Sequence, residues 1–400
     1  MPPGAAFGEL PMELTIGGGP AVGRLGFGAM RITGRGVWGP PPDEAEAIAL
    51  LRRVADQGAM LIDTADSYGP EVSETLIAKA LYPYPAGLVI ASKGGLTRRG
   101  PGYWDVDCRP EHLRRACTGS LRRLRLERIE LYQLHSVDHR VPIEDSMGTL
   151  LDLRREGKIR YIGVSNVSAA ELSRAQQVAE IVSVQNNYNL RDRSSDALID
   201  ICAGAGIAFI PFYPLAKGRL ARPDSPLARI AERHHATPGQ IALAWLLHRS
   251  SVILPIPGTS SLVHFEENLG AASIRLSVEE FRTLSDGCSA AADLRDQVDL
   301  AIGLERGQVG ILENLTVDRH RHALVNLAAK AGEPAVELQH HPTESVRFHL
   351  ELGRPASEPA GGLAREMDAR QAATRRSYQS QRAAAAATSA NRACARRSRR

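Results

Sequence analysis

No CxxC pair occurs among the five cysteines, Cys108, Cys117, Cys202, Cys288 and Cys394, which stand far apart in the chain. That spacing offers neither a zinc-binding pair nor a disulfide framework, and it fits reduced thiols in core and surface positions. Also missing is any uninterrupted apolar run near the roughly 20 residues that cross a bilayer. The opening Met-Pro-Pro-Gly-Ala-Ala has no basic segment followed by a long apolar one, so a cytoplasmic location is expected. The body lacks an excess of either charge. The formal net charge is +4, and residues 291–400, with 17 basic and 13 acidic side chains, account for all of it. Residues 1–290 carry 32 of each sign, which argues against a nucleic-acid-binding body.

What the chain does have is 43% hydrophobic residues and 36 glycines, enough for a soluble α/β core. Two short apolar stretches flank Gly17-Gly18-Gly19-Pro20 and predict a hairpin. From Leu25 to Thr259 strand-like and helix-like segments then alternate. Candidate strands begin at Leu25, Met60, Leu88, Ile129, Ile159, Ile181, Ile207 and Val252. Each is short and nearly all apolar, the pattern of a parallel strand buried on both faces. One intervening helix is capped by Asp43, places Ala47, Ile48, Leu51, Val54 and Ala55 on one face and closes at Gly58. Another starts at Pro110 and is rich in arginine, which reads as a solvated face. Further helical patterns fall near 71–81, 143–155, 169–177, 194–205 and around Trp245. Eight such units closing on themselves predict a (β/α)8 barrel. An open doubly wound sheet is the alternative, but Gly26-Phe27-Gly28 lacks the third glycine and the immediate helix of a dinucleotide fingerprint.

In such a barrel the residues just past the strands meet at one end. Asp63 follows Leu61-Ile62, and Tyr68-Gly69 comes after the polar turn Thr64 to Ser67. An Asp in that place also serves, in many chains, as no more than a turn cap. Lys93, His135, Ser165, Asn166, Gln185, Phe212, Gly258 and Thr259 occupy the matching places elsewhere. Four of these groups, Asp63, Tyr68, Lys93 and His135, ionise, and their chemistry is mutually consistent. A free phenol titrates at about 10 and a nearby ammonium lowers that value, so Lys93 is expected to favour the Tyr68 phenolate. Asp63 is expected to keep Lys93 charged and aimed, so that its loss raises the pKa of the catalytic step. His135 is expected to hydrogen-bond the atom that receives the proton of Tyr68. Proton donation to a carbonyl oxygen needs a hydride source, which no side chain supplies, and so calls for a nicotinamide cofactor.

Several of these runs also carry a resemblance. Asp63-Thr64-Ala65-Asp66-Ser67-Tyr68-Gly69, Lys93-Gly94-Gly95, Leu131-Tyr132-Gln133-Leu134-His135, the run from Gly157 to Asn166, and Ile256 through Ser261 to Asn268 resemble, in order, the motifs of the aldo-keto reductase superfamily. The similarity spans residues 12–286 and implies a (β/α)8 barrel that reduces aldehydes or ketones with NADPH, NADH being less favoured. It matches Asp63, Tyr68, Lys93 and His135 to the family's catalytic tetrad, with Tyr68 the acid in reduction and the base in oxidation. It implies that Ser165, Asn166 and Gln185 hold the nicotinamide carboxamide and that Phe212, or Tyr213 one position on, lies under the nicotinamide ring. Gly28 and Met30 are implied as further cofactor contacts. Leu215 and Gly218 match the loop over the pyrophosphate, and Gly258, Thr259, Ser260, His264 and Asn268 the segment that receives the adenosine end. Many NADPH-specific members carry Lys or Arg between positions matching Gly258 and Ser261, and this chain does not. The amides of a helix starting near Ser261 and the two hydroxyls are then left to hold a 2′-phosphate. Trp38, Tyr103, Trp104 and Tyr213 are the substrate-lining aromatic candidates. The run is similar to bacterial members that include pyridoxal reductase-like enzymes, which implies a pyridoxal-type aldehyde as a substrate. No metal is expected.

The barrel reading covers residues 1–290, and beyond Ala290 its rhythm stops. Residues 371–400 hold eight arginines and no acid, with a pure alanine run from Ala383 to Ala387, the composition of a disordered Arg/Ala-rich tail. Apolar stretches at 298–304, 309–315 and 324–327 allow a helix or hairpin before it. The tail reads either as a binder of nucleic acid or another polyanion or as sequence with no selected function. The pair His340-His341 lacks a third metal ligand at a fitting spacing. Two rival functions stand beside carbonyl reduction. One is a cofactor-binding regulatory subunit on the same barrel with little turnover. The other is an aldolase in which Lys93 forms a Schiff base.

Overall fold

A computed structural model describes residues 11–286 of the chain, apart from 20, 58, 59 and 224. The helix end expected at Gly58, Pro20 of the first turn, Cys288, Cys394, His340-His341 and the expected tail lie outside the described residues. Strands β1 (Glu13–Thr15) and β2 (Ala21–Gly23) pair antiparallel, with Thr15 opposite Ala21, as the glycine turn between them predicts. Then come β3 (Phe27–Gly28), β4 (Leu61–Asp63), β5 (Val89–Gly94), β6 (Leu96–Gly100), β7 (Tyr103–Val106), β8 (Ile129–Leu134), β9 (Ile159–Ser165), β10 (Ser183–Gln185) and β11 (Ala208–Phe209). Seven of these form one all-parallel sheet in the order β11-β10-β9-β8-β5-β4-β3. The eighth expected strand, at Val252, behaves differently. Phe209 N donates to Val252 O and Leu254 N to Phe209 O, both at 2.8 Å, while Gly26 N donates to Pro255 O at 2.9 Å and Gly28 N to Pro257 O at 3.5 Å. Pro255 and Pro257 have no N–H to return, so this segment accepts from β3's side without building a ladder. It nevertheless joins both edges of the sheet, and the arrangement fits a (β/α)8 fold.

Period-two alternation sorts the strand residues into two cores. Ile62, Ile90, Tyr132, Phe209 and Ile253 pack outward with the helices, whereas their neighbours Leu61, Val89, Leu131, Ala208 and Leu254 form a separate inner cluster with Ile16 and Val22 of the β1–β2 hairpin. The hairpin therefore plugs one end of the interior with aliphatic side chains. Two residues further along β4, β5 and β8 the same inward face carries Asp63, Lys93 (after Ala91) and Gln133. A polar layer thus sits directly above an apolar one. Gly163 of β9 belongs to this layer because no side chain fits: a Cβ there meets Ser183 Oγ at 2.2 Å and Gln133 Cγ at 2.9 Å.

Helices cover the outside, and local chemistry sets their ends. Asp43 Oδ1 accepts from Glu46 N at 2.9 Å to cap Glu44–Ala55, Pro110 opens Pro110–Leu124, and Ser168 with Glu171 forms a capping box on Ala169–Val178. The solvated face expected for the Arg-rich helix needs one correction. Arg123 points inward, its Nε donating at 2.7 Å to Glu74 Oε2, a carboxylate with no exposed surface. A buried carboxylate requires such a partner. The β6–β7 hairpin, inserted between β5 and its helix, is absent from the eight-unit pattern.

Candidate active site

Strand ends and one turn place the tetrad. Asp63 ends β4, Lys93 lies on β5 and His135 follows β8, while Tyr68 is carried on the turn after β4, with Asp66 N donating to Lys93 O at 3.4 Å and Tyr68 N to Ala65 O at 3.2 Å. All four are buried, with 1%, 0%, 6% and 7% exposure for Asp63, Lys93, His135 and Tyr68. Lys93 Nζ donates to Asp63 Oδ2 at 2.7 Å, to Thr64 O at 2.9 Å and to Tyr68 Oη at 3.4 Å. These are the three donors an ammonium owns, so Lys93 is committed to the site's own groups and has no free lone pair with which to attack a carbonyl. Asp63 is not a turn cap, because its other oxygen accepts from Gln185 Nε2 at 2.9 Å. His135 lies edge-to-face with Tyr68, ring centroids 5.8 Å apart, and its Nδ1 is hydrogen-bonded with Ser67 Oγ at 3.4 Å.

Burial decides the electrostatics. It is the first cause that pushes the Tyr68 phenol well above its ordinary value, and the charge of Asp63 is the second. The expected lowering of this phenol by Lys93 is therefore reversed: desolvation of a phenolate outweighs the ammonium nearby. The direct effect of the Asp63 charge on Tyr68 likewise has the opposite sign to the one expected from its hold on Lys93. Burial also lowers Lys93, against the pull of Asp63, and lowers His135 well below its usual range, with the Lys93 charge adding to it. The site at neutral pH thus holds a protonated phenol beside a neutral imidazole.

His135 ties the stability of the fold to pH. Its folded pKa lies below its unfolded value of about 6.5, so the unfolded chain binds more protons as the pH falls through that value, and stability falls with it. Half-buried His112 and buried His248 are lowered by desolvation and add in the same direction. Asp66, raised chiefly by burial, acts with the opposite sign from about 3.8 upward. Comparing His135→Asn with the unaltered chain isolates one group. The substitution is expected to remove up to about 1.4 kcal/mol per pH unit of the loss below pH ~6.5, read from urea midpoints at several pH values; equal slopes in the two chains would exclude a buried neutral His135.

The other expected residues are placed unevenly. Asn166, with φ 56°, donates through Nδ2 to His135 O at 3.0 Å and to Ser165 Oγ at 3.1 Å, so it and Ser165 adjoin the tetrad. Gln185 is bound to Asp63 directly and also donates to Gln133 Oε1 at 2.9 Å. Phe212 packs on the inner cluster and meets Tyr213 edge-on at 5.2 Å. Trp104 lies edge-to-face with Tyr68 at 6.4 Å, and Trp38 bridges to Gly69 through its backbone, whereas Tyr103 is 65% exposed. Gly28 and Gly258 touch: a Cβ on Gly258 falls 2.8 Å from Gly28 O. Thr259 Oγ1 accepts from Ser261 N at 3.0 Å and Ser261 Oγ accepts from His264 N at 3.4 Å, starting the helix Leu262–Gly270, which carries Asn268. Met30 sits on the 3-10 turn Ala29–Ile32, and Ser260 and His264 are exposed.

Tyr213, Ala216, Lys217 and Gly218 all have positive φ, at 50°, 49°, 56° and 90°. Gly218 has open space around its missing Cβ, so its backbone angle alone calls for glycine. Backbone strain is thus concentrated in the run that includes Leu215. Sequence reading missed Gln133, whose Nε2 donates to Ser183 Oγ at 3.0 Å, and Ser67. Gln133 had a signal, standing on β8 two residues before His135, which follows that strand. Among the described residues no group of three or more His, Cys, Asp or Glu side chains is placed to hold a metal, and no helix is long and apolar enough to cross a membrane.

Comparison with known proteins gives this geometry a family. The chain is 47% identical over 269 residues to the uncharacterized oxidoreductase C215.11c of Schizosaccharomyces pombe, covering 67% of this chain and 88% of that protein. It is 43% identical over 278 residues to pyridoxine 4-dehydrogenase of Escherichia coli, covering 68% and 96%. Among solved structures, the aldo-keto reductase of Klebsiella pneumoniae in complex with NADPH matches with a TM-score of 0.60 and 26% identity, covering 70% of this chain and 95% of that one. The model of the Aldo/keto reductase family matches residues 24–286, well over half the sequence, and the chain belongs to that family.

Proposed function

We propose that this chain reduces an aldehyde or ketone to an alcohol, with NADPH as the hydride source, Tyr68 as the proton source and a pyridoxal-type aldehyde as the substrate. The observation that carries this reading is Lys93 Nζ, wholly buried and held between Asp63 Oδ2 at 2.7 Å and Tyr68 Oη at 3.4 Å. NADPH, when bound, supplies the hydride to the carbonyl carbon. The chain's residues manage the proton. Tyr68 keeps its proton at neutral pH because burial opposes the phenolate, and it gives that proton up only as negative charge grows on the carbonyl oxygen. The Lys93 ammonium, fixed by Asp63 and Thr64 O, then stabilises the phenolate that is left. Solvent returns the proton. His135 lies beside Tyr68 and orients the carbonyl by hydrogen bonding. The name of the Escherichia coli relative supports the pyridoxal-type substrate.

The residues fit the cofactor. Ser165, Asn166 and Gln185 crowd the tetrad with amide and hydroxyl groups suited to the carboxamide, and Phe212 offers an aromatic face. The strained run 213–218 suits the pyrophosphate. The 258–261 stretch has no cation, yet the Arg31 side chain lies across Gly258, its Cγ 3.4 Å from where a Cβ would stand, which makes Arg31 the cation proposed for that end of the cofactor. A phosphate held by Arg31 is a charge-assisted contact worth about 1.5–3 kcal/mol. Arg31→Met is therefore expected to weaken NADPH binding about tenfold or more, as read by fluorescence titration, and to flatten its salt dependence; an unchanged Kd would remove Arg31 from the site. Turnover of NADPH with a panel of aldehydes tests the reaction itself.

A further inference from the structure

Arg98 of the β6–β7 hairpin spends all five of its N–H donors on backbone carbonyls. Nε donates to Tyr103 O at 2.8 Å, one terminal nitrogen to Val37 O at 2.9 Å and Ser67 O at 3.1 Å, and the other to Gly36 O at 2.8 Å and Gly100 O at 3.4 Å. A guanidinium has five donors in a fixed plane, so none is left for a ligand. The five acceptors come from three separate segments: the loop 34–39, the turn that carries Tyr68, and the hairpin itself. Two further bonds run alongside, Gly102 N to Gly36 O at 3.3 Å and Gly69 N to Val37 O at 3.3 Å. The same guanidinium lies 3.6 Å from the centre of the Trp104 ring and 5.8 Å from that of Trp38. Trp104 in turn stands edge-to-face with the Tyr68 ring at 6.4 Å.

The geometry points to Arg98 as a positioning and specificity-determining residue: it fixes the Trp104 wall beside Tyr68, and through that wall it selects flat aromatic aldehydes over small aliphatic ones. Arg98 does not touch the reacting atoms. Trp104 is 38% exposed and carried on a short hairpin, and the cation on its face and the edge of Tyr68 are its ring contacts on this side of the site. Lysine cannot take over, since three donors cannot serve five carbonyls and an ammonium has no plane to stack.

The selectivity arm rests on the carbonyl-reductase reading; the positional arm does not. For the positional arm, the full chain is labelled with 5-fluorotryptophan, and its three tryptophans are assigned by Trp→Phe variants. Arg98→Lys is expected to move the fluorine resonances of Trp104 and Trp38 and to leave that of buried Trp245 in place. In the unaltered chain, Trp104→Ala is expected to shift one arginine Nε–H resonance, a test that stands even if Arg98→Lys does not fold. For selectivity, Arg98→Lys is expected to raise KM for pyridoxal about tenfold or more, with kcat within about threefold and KM for propanal little changed. In a Trp104→Ala background the same substitution is expected to add nothing, because the two act as one unit. An unmoved Trp104 resonance, an unchanged arginine resonance, an unaltered KM for pyridoxal, or additive losses would each overturn the assignment. If the unaltered chain reduces no aldehyde, the proposed function fails while the two spectra still decide whether Arg98 holds Trp104.

Discussion

Lys93→Met is expected to abolish carbonyl reduction and to destabilise the fold by about 3–5 kcal/mol, the usual cost of stripping one partner from a buried ion pair. The substitution leaves the Asp63 carboxylate 1% exposed, with Gln185 as its remaining hydrogen-bond donor, and deprives Thr64 O of its donor. Burial already strains this pair, since it pulls Lys93 below its ordinary pKa even with Asp63 at 2.7 Å. Stability and chemistry separate in the double variant. Lys93→Met with Asp63→Leu removes both charges together, so most of the lost stability is expected to return, whereas activity is not. Urea midpoints at constant m-value read the first quantity, and NADPH consumption the second. A single Lys93→Met variant as stable as the unaltered chain would mean that the pair is not the closed, dry contact described above.

Tyr68→Phe is expected to lower kcat and kcat/KM alike by about 10²–10⁴, the range that one positioned acid contributes. The substitution removes a single oxygen. The ring keeps its contacts with His135 and Trp104, and the bond it loses, at 3.4 Å, is long. Stability is therefore expected to move by about 1 kcal/mol or less, and NADPH affinity not at all. The raised phenol also fixes the pH dependence in sign. Its acid form persists through neutral pH and above the ordinary phenol value, so the reduction rate is expected to stay level across neutral pH and to fall only on the alkaline side. A fall on the acid side in this step would assign the proton to another group.

The meeting of Asp63, Tyr68, Lys93 and His135 was legible because it depends only on chain order and period. Asp63, Lys93 and His135 follow apolar runs whose length and alternation say where a strand ends, Tyr68 follows one of them across a short polar turn, and parallel strands of one sheet end on one side. Gln133 was equally readable, on the same face as Leu131 and His135. The eighth strand was only half readable: Val252-Ile253-Leu254 is a strand pattern, and Pro255 and Pro257 turn its far half into a one-sided acceptor. Gly100-Pro101-Gly102 between Thr97-Arg98-Arg99 and Tyr103-Trp104-Asp105-Val106 is a hairpin signal, but its polar flanks hide it among loops. What could not be read was anything that depends on burial at a distance. Arg123 and Glu74 form a buried pair from helices 49 residues apart, and neither segment reveals the other. The sign of the Tyr68 shift is of the same kind. A lysine nearby lowers a phenol in water, and only the closed interior makes desolvation the larger effect.

In the function proposed above, the buried Asp63–Lys93–Tyr68 chain delivers a proton to a carbonyl oxygen while NADPH delivers hydride. The direct measurement counts product: purified full-length protein, NADPH and pyridoxal, with pyridoxine formed and NADPH consumed followed together, in the unaltered chain and in Tyr68→Phe. One pyridoxine formed for each NADPH consumed, with the Tyr68→Phe variant binding NADPH equally well and forming almost none, is the result expected. Tight NADPH binding without consumption in the presence of pyridoxal or any other aldehyde of a broad panel, or equal turnover by Tyr68→Phe, would contradict it.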